Sequence, residues 1–99
     1  MFEIAQHKDE IARLCQLFGI KRLEIFGSAS TDDFHSESDI DCLIEFAENG
    51  GNHFDRYFDL KYALEGVFGR DVDLVVDKAI KNPYFRQAVD RSRQLIYAA

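Results

Sequence analysis

Three aspartates and a glycine-serine pair are the residues of this chain whose types and spacing could do chemistry. Asp39 and Asp41 flank a single isoleucine and open the apolar run from Cys42 to Phe46. Successive side chains of a strand alternate between faces, so Asp39 and Asp41 share one face while Ile40, Cys42 and Ile44 take the other. Two carboxylates about 7 Å apart along one strand, aimed alike, repel each other. A hard divalent cation such as Mg²⁺ removes that penalty, because it takes oxygen ligands and tolerates several carboxylates at once. Asp73 sits in a second apolar run, Asp71 to Val76. A carboxylate there is costly unless it is paired or binds a metal, which makes Asp73 the third candidate ligand. Asp71, nearer the turn, reads as exposed. Gly27-Ser28 closes the run from Ile20 to Phe26. Glycine lets a backbone come close to phosphate, and a helix start after it aims free N–H groups at the anion. The pattern is that of a metal-triphosphate site. Two ions about 3.5–4 Å apart in such a site clamp the attacking and leaving oxygens of an in-line displacement.

The elements that must hold these groups in place can be read around them. Residues 2–18 form an amphipathic helix with Ile4, Ile11, Leu14, Cys15 and Phe18 on one stripe, His7 on the surface, and Gly19 as its stop. Ile20 to Phe26 is a strand, with Leu23 and Ile25 alternating against Arg22 and Glu24. Asp39 to Phe46 is the second strand, with Glu45 solvated. Residues 29–38 make a polar turn and loop over the site, in which Glu37 and Ser38 shape the turn and His35 is a loop histidine. A Gly/Asn loop that includes an exposed His53 leads to a helix over 54–68, which ends at Gly69. The apolar positions of that helix wrap more than half its circumference, wider than one side of a small sheet requires. Two readings stand level: a simply well-buried helix, or one whose outer aromatics serve a partner. The third strand is Asp71 to Val76. Asn82-Pro83 then starts a terminal helix, whose packing face runs through Tyr84 or Phe85, Val89, Ser92 and Leu95 to Ile96. Lys78, Lys81, Arg86, Arg91 and Arg93 form a solvated basic face. The fold class is α/β (α+β), a small mixed three- to four-stranded sheet with helices packed mainly on one face.

Composition narrows the field of functions. A chain of 99 residues reads as one domain, which buries roughly two-thirds of its unfolded surface. Eighteen acidic against 12 basic residues give a net charge of −6, which disfavours grip on a nucleic-acid backbone. The pattern contains no bilayer-spanning run and no secretory leader, and the reading is a cytoplasmic protein. Cys15 and Cys42 are no disulfide framework; both read as small core residues in a reducing compartment.

Gly27-Ser28, ten residues, then Asp39-x-Asp41 resembles the signature of the DNA polymerase β-like nucleotidyltransferase superfamily. The likeness is closer to its smallest branch, the minimal nucleotidyltransferases or MntA-like antitoxins. It extends to the segment from Leu64 to Val76, where those proteins place a third acidic residue and Asp73 matches. The resemblance implies an Mg-dependent nucleotidyltransferase with Asp39, Asp41 and Asp73 as catalytic metal ligands and Gly27 and Ser28 on the nucleotide. It also implies a partner, a HEPN-domain toxin in a hetero-oligomer, neutralised by transfer of AMP from ATP to a tyrosine hydroxyl. One departure stands out. Where the family carries a small residue, arginine and glycine after Gly-Ser, this chain has Ser30, Thr31 and Asp32, and Asp32 and Asp33 would repel a triphosphate. That departure supports the alternative of a catalytically degenerate antitoxin that neutralises its HEPN partner by binding alone.

Overall fold

The computed structural model of the chain describes residues 4–27, 39–48 and 52–99. Strands β1 (Ile20–Phe26), β2 (Ile40–Phe46), β3 (Val72–Val76) and β4 (Gln94–Ala98) form one sheet in the order β3-β2-β1-β4. Both pairings of β1 are antiparallel, whereas β2 and β3 run parallel. A parallel neighbour needs a crossover connection, which helix α2 (His53–Phe68) supplies. Helix α1 (Lys8–Leu17) precedes β1, and helix α3 (Pro83–Ser92) precedes β4. No described helix is long and apolar enough to cross a membrane.

Alternation along the strands sorts the residues into two cores. Leu23, Ile25, Ile40, Cys42, Ile44, Val72 and Leu74 bury one face of the sheet against Ile11 and Cys15 of α1 and Leu60, Leu64 and Phe68 of α2. The helical contributors recur every fourth residue, the spacing of one helix face. Each fully buried side chain of this size is worth roughly 1.5–3 kcal/mol. The opposite face carries a smaller core of Phe26, Leu43 and Val89, so α3 lies across the side from which α1 and α2 are absent. Both cysteines belong to the first core, as their sequence context suggests, and burial pushes the Cys15 thiol up to about 12.

The ends of the helices follow local chemistry. Asn52 accepts from the N–H groups of Phe54 and Asp55, and Asn82 from those of Tyr84 and Phe85, with Pro83 at the first helical position. Gly69 ends α2 in the left-handed conformation, at φ 69°. The helix expected over 2–18 is shorter: a 3-10 turn, Ile4–His7, leads into α1, and the Ile4 side chain lies outside what is described. His7 is half-buried rather than on the surface, edge-on to Phe68 with ring centres 5.7 Å apart.

The terminal helix does not continue to Ile96. It stops at Ser92, Arg93 turns extended at ψ 138°, and residues 94–98 pair with β1 as the edge strand β4. Five residues with one alternation are too short to announce a strand, and only the open edge of β1 completes it.

A second correction concerns charge. Glu45, expected to be solvated, is half-buried and ion-paired, and Glu24 is buried. Glu24 is 6% exposed and receives a fork from Arg93, Nε at 2.9 Å and Nη2 at 2.7 Å. Arg22 bridges Glu24 at 3.0 Å, Glu45 at 3.4 Å and Asp77 at 2.6 Å. Arg86 meets Asp77 at 2.7 Å. Arg86 and Arg93 of the expected solvated face therefore form, with Arg22, an ionic layer over the second face of the sheet. Burial pushes the Asp77 carboxyl up, but its hydrogen bond from Arg86 and the charges of Arg86, Arg93 and Arg22 outweigh this and hold it below its ordinary 3.8. A depressed carboxylate stabilises the fold above its unfolded value, and that contribution is lost as pH falls through the folded value. Urea midpoints of the wild type should accordingly drop as pH falls below 3.8, and Asp77→Asn should flatten that acid limb.

Candidate active site

The three candidate metal ligands lie on the second face of the sheet, at the N-terminal ends of β2 and β3. Asp41 is opposite Asp73 in the parallel register, and opposite Phe26 in the antiparallel one. In each pairing, cross-strand neighbours share a face, so the Asp41 and Asp73 carboxyls stand side by side. Asp39 and Asp73 are exposed, and Asp41 is half-buried. Asp41 is held above its ordinary 3.8 by burial first, then by the charges of Asp73 and Asp39, then by a hydrogen bond with the Asp73 carboxyl. A carboxylate pair in direct contact shares a proton because both members cannot ionise cheaply.

The face assignment agrees with the sequence reading in each strand. Ile40, Cys42 and Ile44 enter the large core, while Asp41 points away from it. Val72 and Leu74 are buried, and Asp71 and Asp73 are exposed. A single residue of slippage between β2 and β3 would separate the two carboxyls, so the paired apolar faces set the site.

Gly27 closes the site from β1. Its φ is 70°, and a Cβ built on it would fall 2.7 Å from Asp41 Oδ2, closer than real Cβ contacts come. The absent side chain therefore makes room for the Asp41 carboxyl. The Gly27 N–H donates to Ser92 Oγ at 2.9 Å, and that hydroxyl donates to Ala88 carbonyl O at 3.2 Å. Ser92, read from the sequence as a packing residue, is thus a positioning residue for the turn. Nothing in the local sequence marks it, since the contact spans 65 positions. Ser28 lies outside the described residues, as do Ser30, Thr31, Asp32, Asp33, His35, Glu37 and Ser38. Gly27→Ala should cost about 1–3 kcal/mol from the left-handed backbone and the crowded carboxylate together. It should also lower turnover, which steady-state assay and urea unfolding can separate.

Asp41 and Asp73 side by side, with Asp39 close enough to act through its charge, are hard oxygen donors of the kind Mg²⁺ takes. Among the described residues, no three His, Cys, Asp or Glu side chains are drawn tightly enough together to hold an ion. A cavity of about 280 Å³ lined by Glu45, Phe46, His53, Val76, Lys78 and Ala79 lies at the other ends of β2 and β3, apart from the carboxyls. His53 is exposed as expected and stacks on Phe46, ring centres 4.3 Å apart.

Comparison with known proteins bears on the chain as a whole. The family model of the nucleotidyltransferase domain matches residues 8–96. Two provisionally assigned protein adenylyltransferases of Methanocaldococcus jannaschii are similar throughout: one is 38% identical over 81% of this chain and 78% of its own length. The other is 35% identical over 98% of this chain and 99% of its own length. A solved, provisionally assigned minimal nucleotidyltransferase superimposes with TM-score 0.76 at 31% identity, covering 92% of this chain and 90% of that one. A complex of the tri-AMPylated Shewanella oneidensis HEPN toxin with its MNT antitoxin shares the fold, with TM-score 0.66 at 21% identity, over 96% of this chain and 72% of that one. On these matches the chain belongs to the nucleotidyltransferase domain family, among the minimal nucleotidyltransferases.

Proposed function

We propose that this chain is the antitoxin of a toxin–antitoxin pair, and that it transfers AMP from ATP to a tyrosine hydroxyl of a HEPN-domain partner toxin. The observation that carries the reading is the Asp41–Asp73 contact under the bare Cα of Gly27. Asp39, Asp41 and Asp73 would hold Mg²⁺, which when bound neutralises the triphosphate and acidifies the acceptor hydroxyl. Asp39 and Asp73, being exposed, face substrate from solvent, and half-buried Asp41 anchors the set to the sheet. Gly27, whose missing side chain leaves room for the Asp41 carboxyl and whose N–H is engaged by Ser92, and Ser28, which follows it in the chain, would bear on the nucleotide. In the reaction the tyrosine hydroxyl gives up its proton to water and its oxygen bonds to the α-phosphorus. The bond from that phosphorus to the β-phosphate oxygen breaks, and pyrophosphate leaves. The adenylyltransferase names of the relatives and the AMPylated toxin of the Shewanella complex support this assignment.

The Ser30, Thr31, Asp32 departure favours a second reading, neutralisation by binding alone. One experiment separates the two. The purified chain and its HEPN-domain partner are incubated with Mg²⁺ and ATP labelled at the α-phosphate. Label on the partner tyrosine, absent with Asp39→Ala, supports transfer. An intact complex that stays unlabelled supports binding alone.

A further inference from the structure

The outward side of α2 carries a row that lies outside the two buried cores of the described residues. Phe54, Phe58, Tyr62 and Gly66 recur every fourth residue and so lie along one line of the helix, while Leu60, Leu64 and Phe68 form the buried line. Phe54 is 69% exposed and Tyr62 63%, with half-buried Phe58 between them. Their rings form a ladder, Phe54 to Phe58 at 4.9 Å and Phe58 to Tyr62 at 6.2 Å between centres. Three aromatics in a row make a contiguous apolar strip, unlike a lone exposed leucine.

Gly66 is the independent observation. Glycine is the poorest helix former after proline, and a Cβ on Gly66 would meet nothing within 4 Å among the described residues. Neither backbone conformation nor internal packing calls for glycine there. A notch in line with an aromatic ladder is what a second helix needs in order to bring its backbone close.

Charge says what kind of helix. Asp55 and Asp59 are exposed along one border of the row and take part in no ion pair among the described residues. On the other border Lys61 and Glu65 neutralise each other at 2.6 Å. A second copy of this chain packed antiparallel on the row would bring the Asp55–Asp59 border against itself, acid on acid. A helix bordered by lysine or arginine meets it with opposite charge.

We propose that the outer face of α2 docks an amphipathic helix of another protein, one with an apolar stripe bordered by Lys or Arg, whose backbone seats at Gly66. Phe54, Phe58 and Tyr62 fill the apolar stripe, and Asp55 and Asp59 set the orientation. The surface lies on the side of the sheet away from the carboxyls, so it stands independently of the adenylyl-transfer reading.

The test uses the ¹⁵N-labelled full chain and two synthetic helical peptides that share a leucine stripe, one bordered by lysine and the other by glutamate. The lysine peptide should shift the amide signals of residues 54–66 and bind at least about tenfold more tightly than the glutamate peptide. Tyr62→Ser and Gly66→Leu should each weaken it about tenfold, whereas Asp41→Asn should leave it unchanged. Gly66→Ala should raise Tm yet weaken binding, a combination that a purely structural glycine would not produce. Equal binding of both peptides, shifts confined to other elements, or no shifts would overturn the proposal. So would sedimentation showing a dimer of the chain alone that Gly66→Leu disperses.

Discussion

Asp41→Asn is expected to cut adenylyl transfer by at least about a hundredfold while leaving the metal-free fold more stable than wild type. The two effects have one cause. Asp41 is half-buried, its carboxyl hydrogen-bonds with that of Asp73, and the charge of Asp39 reaches it as well. Burial and two like charges raise its folded value above the 3.8 of an ordinary aspartate. A raised acid means that the folded chain binds more protons than the unfolded one between the two values, so stability falls as pH rises through that window. Above that window the raised carboxyl therefore destabilises the fold. Asparagine keeps the shape and removes the charge, so Tm should rise by a few degrees in the absence of metal. Adding Mg²⁺ should raise the Tm of the wild type and have little effect on the variant, because a ligand that binds only the folded state stabilises it by mass action. Calorimetry with and without Mg²⁺, set beside the labelling assay, reads both. A variant less stable than wild type without metal would mean that Asp41 is a structural hydrogen-bonding residue.

Arg93→Met should cost the most stability of any single change on the second face, about 2–4 kcal/mol in urea unfolding. Glu24 is nearly inaccessible, and Arg93 supplies both arms of its fork while also reaching Asp77 at 3.3 Å and Asp90 at 2.8 Å. Without it, Glu24 keeps Arg22 at 3.0 Å but loses most of its neutralisation inside a covered face. The cost of an uncompensated buried charge exceeds the worth of the pair itself. Arg93→Lys should recover less than half of the loss, since an ammonium cannot reproduce a planar two-armed contact. The double variant Glu24→Gln with Arg93→Met should be more stable than Arg93→Met alone, because the stranded charge is gone.

The face that each aspartate takes was legible because it depends on short-range rules. The alternation of Asp39 and Asp41 with Ile40 and Cys42 fixes a shared face within one strand, and Asp73 between Val72 and Leu74 repeats the pattern. The Asn82-Pro83 start of α3 and the Gly69 end of α2 are equally local, since capping is decided by the nearest few residues. Glu45, Arg86 and Arg93 were misread for the opposite reason. In sequence each looks like a solvated charge, yet Glu45 is paired by Arg22 of the neighbouring strand, and Arg86 and Arg93 find Asp77 and Glu24 only because α3 folds across the second face.

What the linear chain determines by itself, then, is which residues face together: apolar against apolar, and carboxylate with carboxylate, along β2 and along β3. Only the tertiary structure decides that Asp41 meets Asp73, because that contact depends on the parallel register which α2 and the large core impose across a long connection. The same holds for β4, which exists because β1 offers it an unpaired edge, and for Ser92, whose hydroxyl finds Gly27 from the far end of α3. Backbone hydrogen-bonding groups and buried charges must find partners, and which partner is within reach is settled by packing, not by neighbours in the chain.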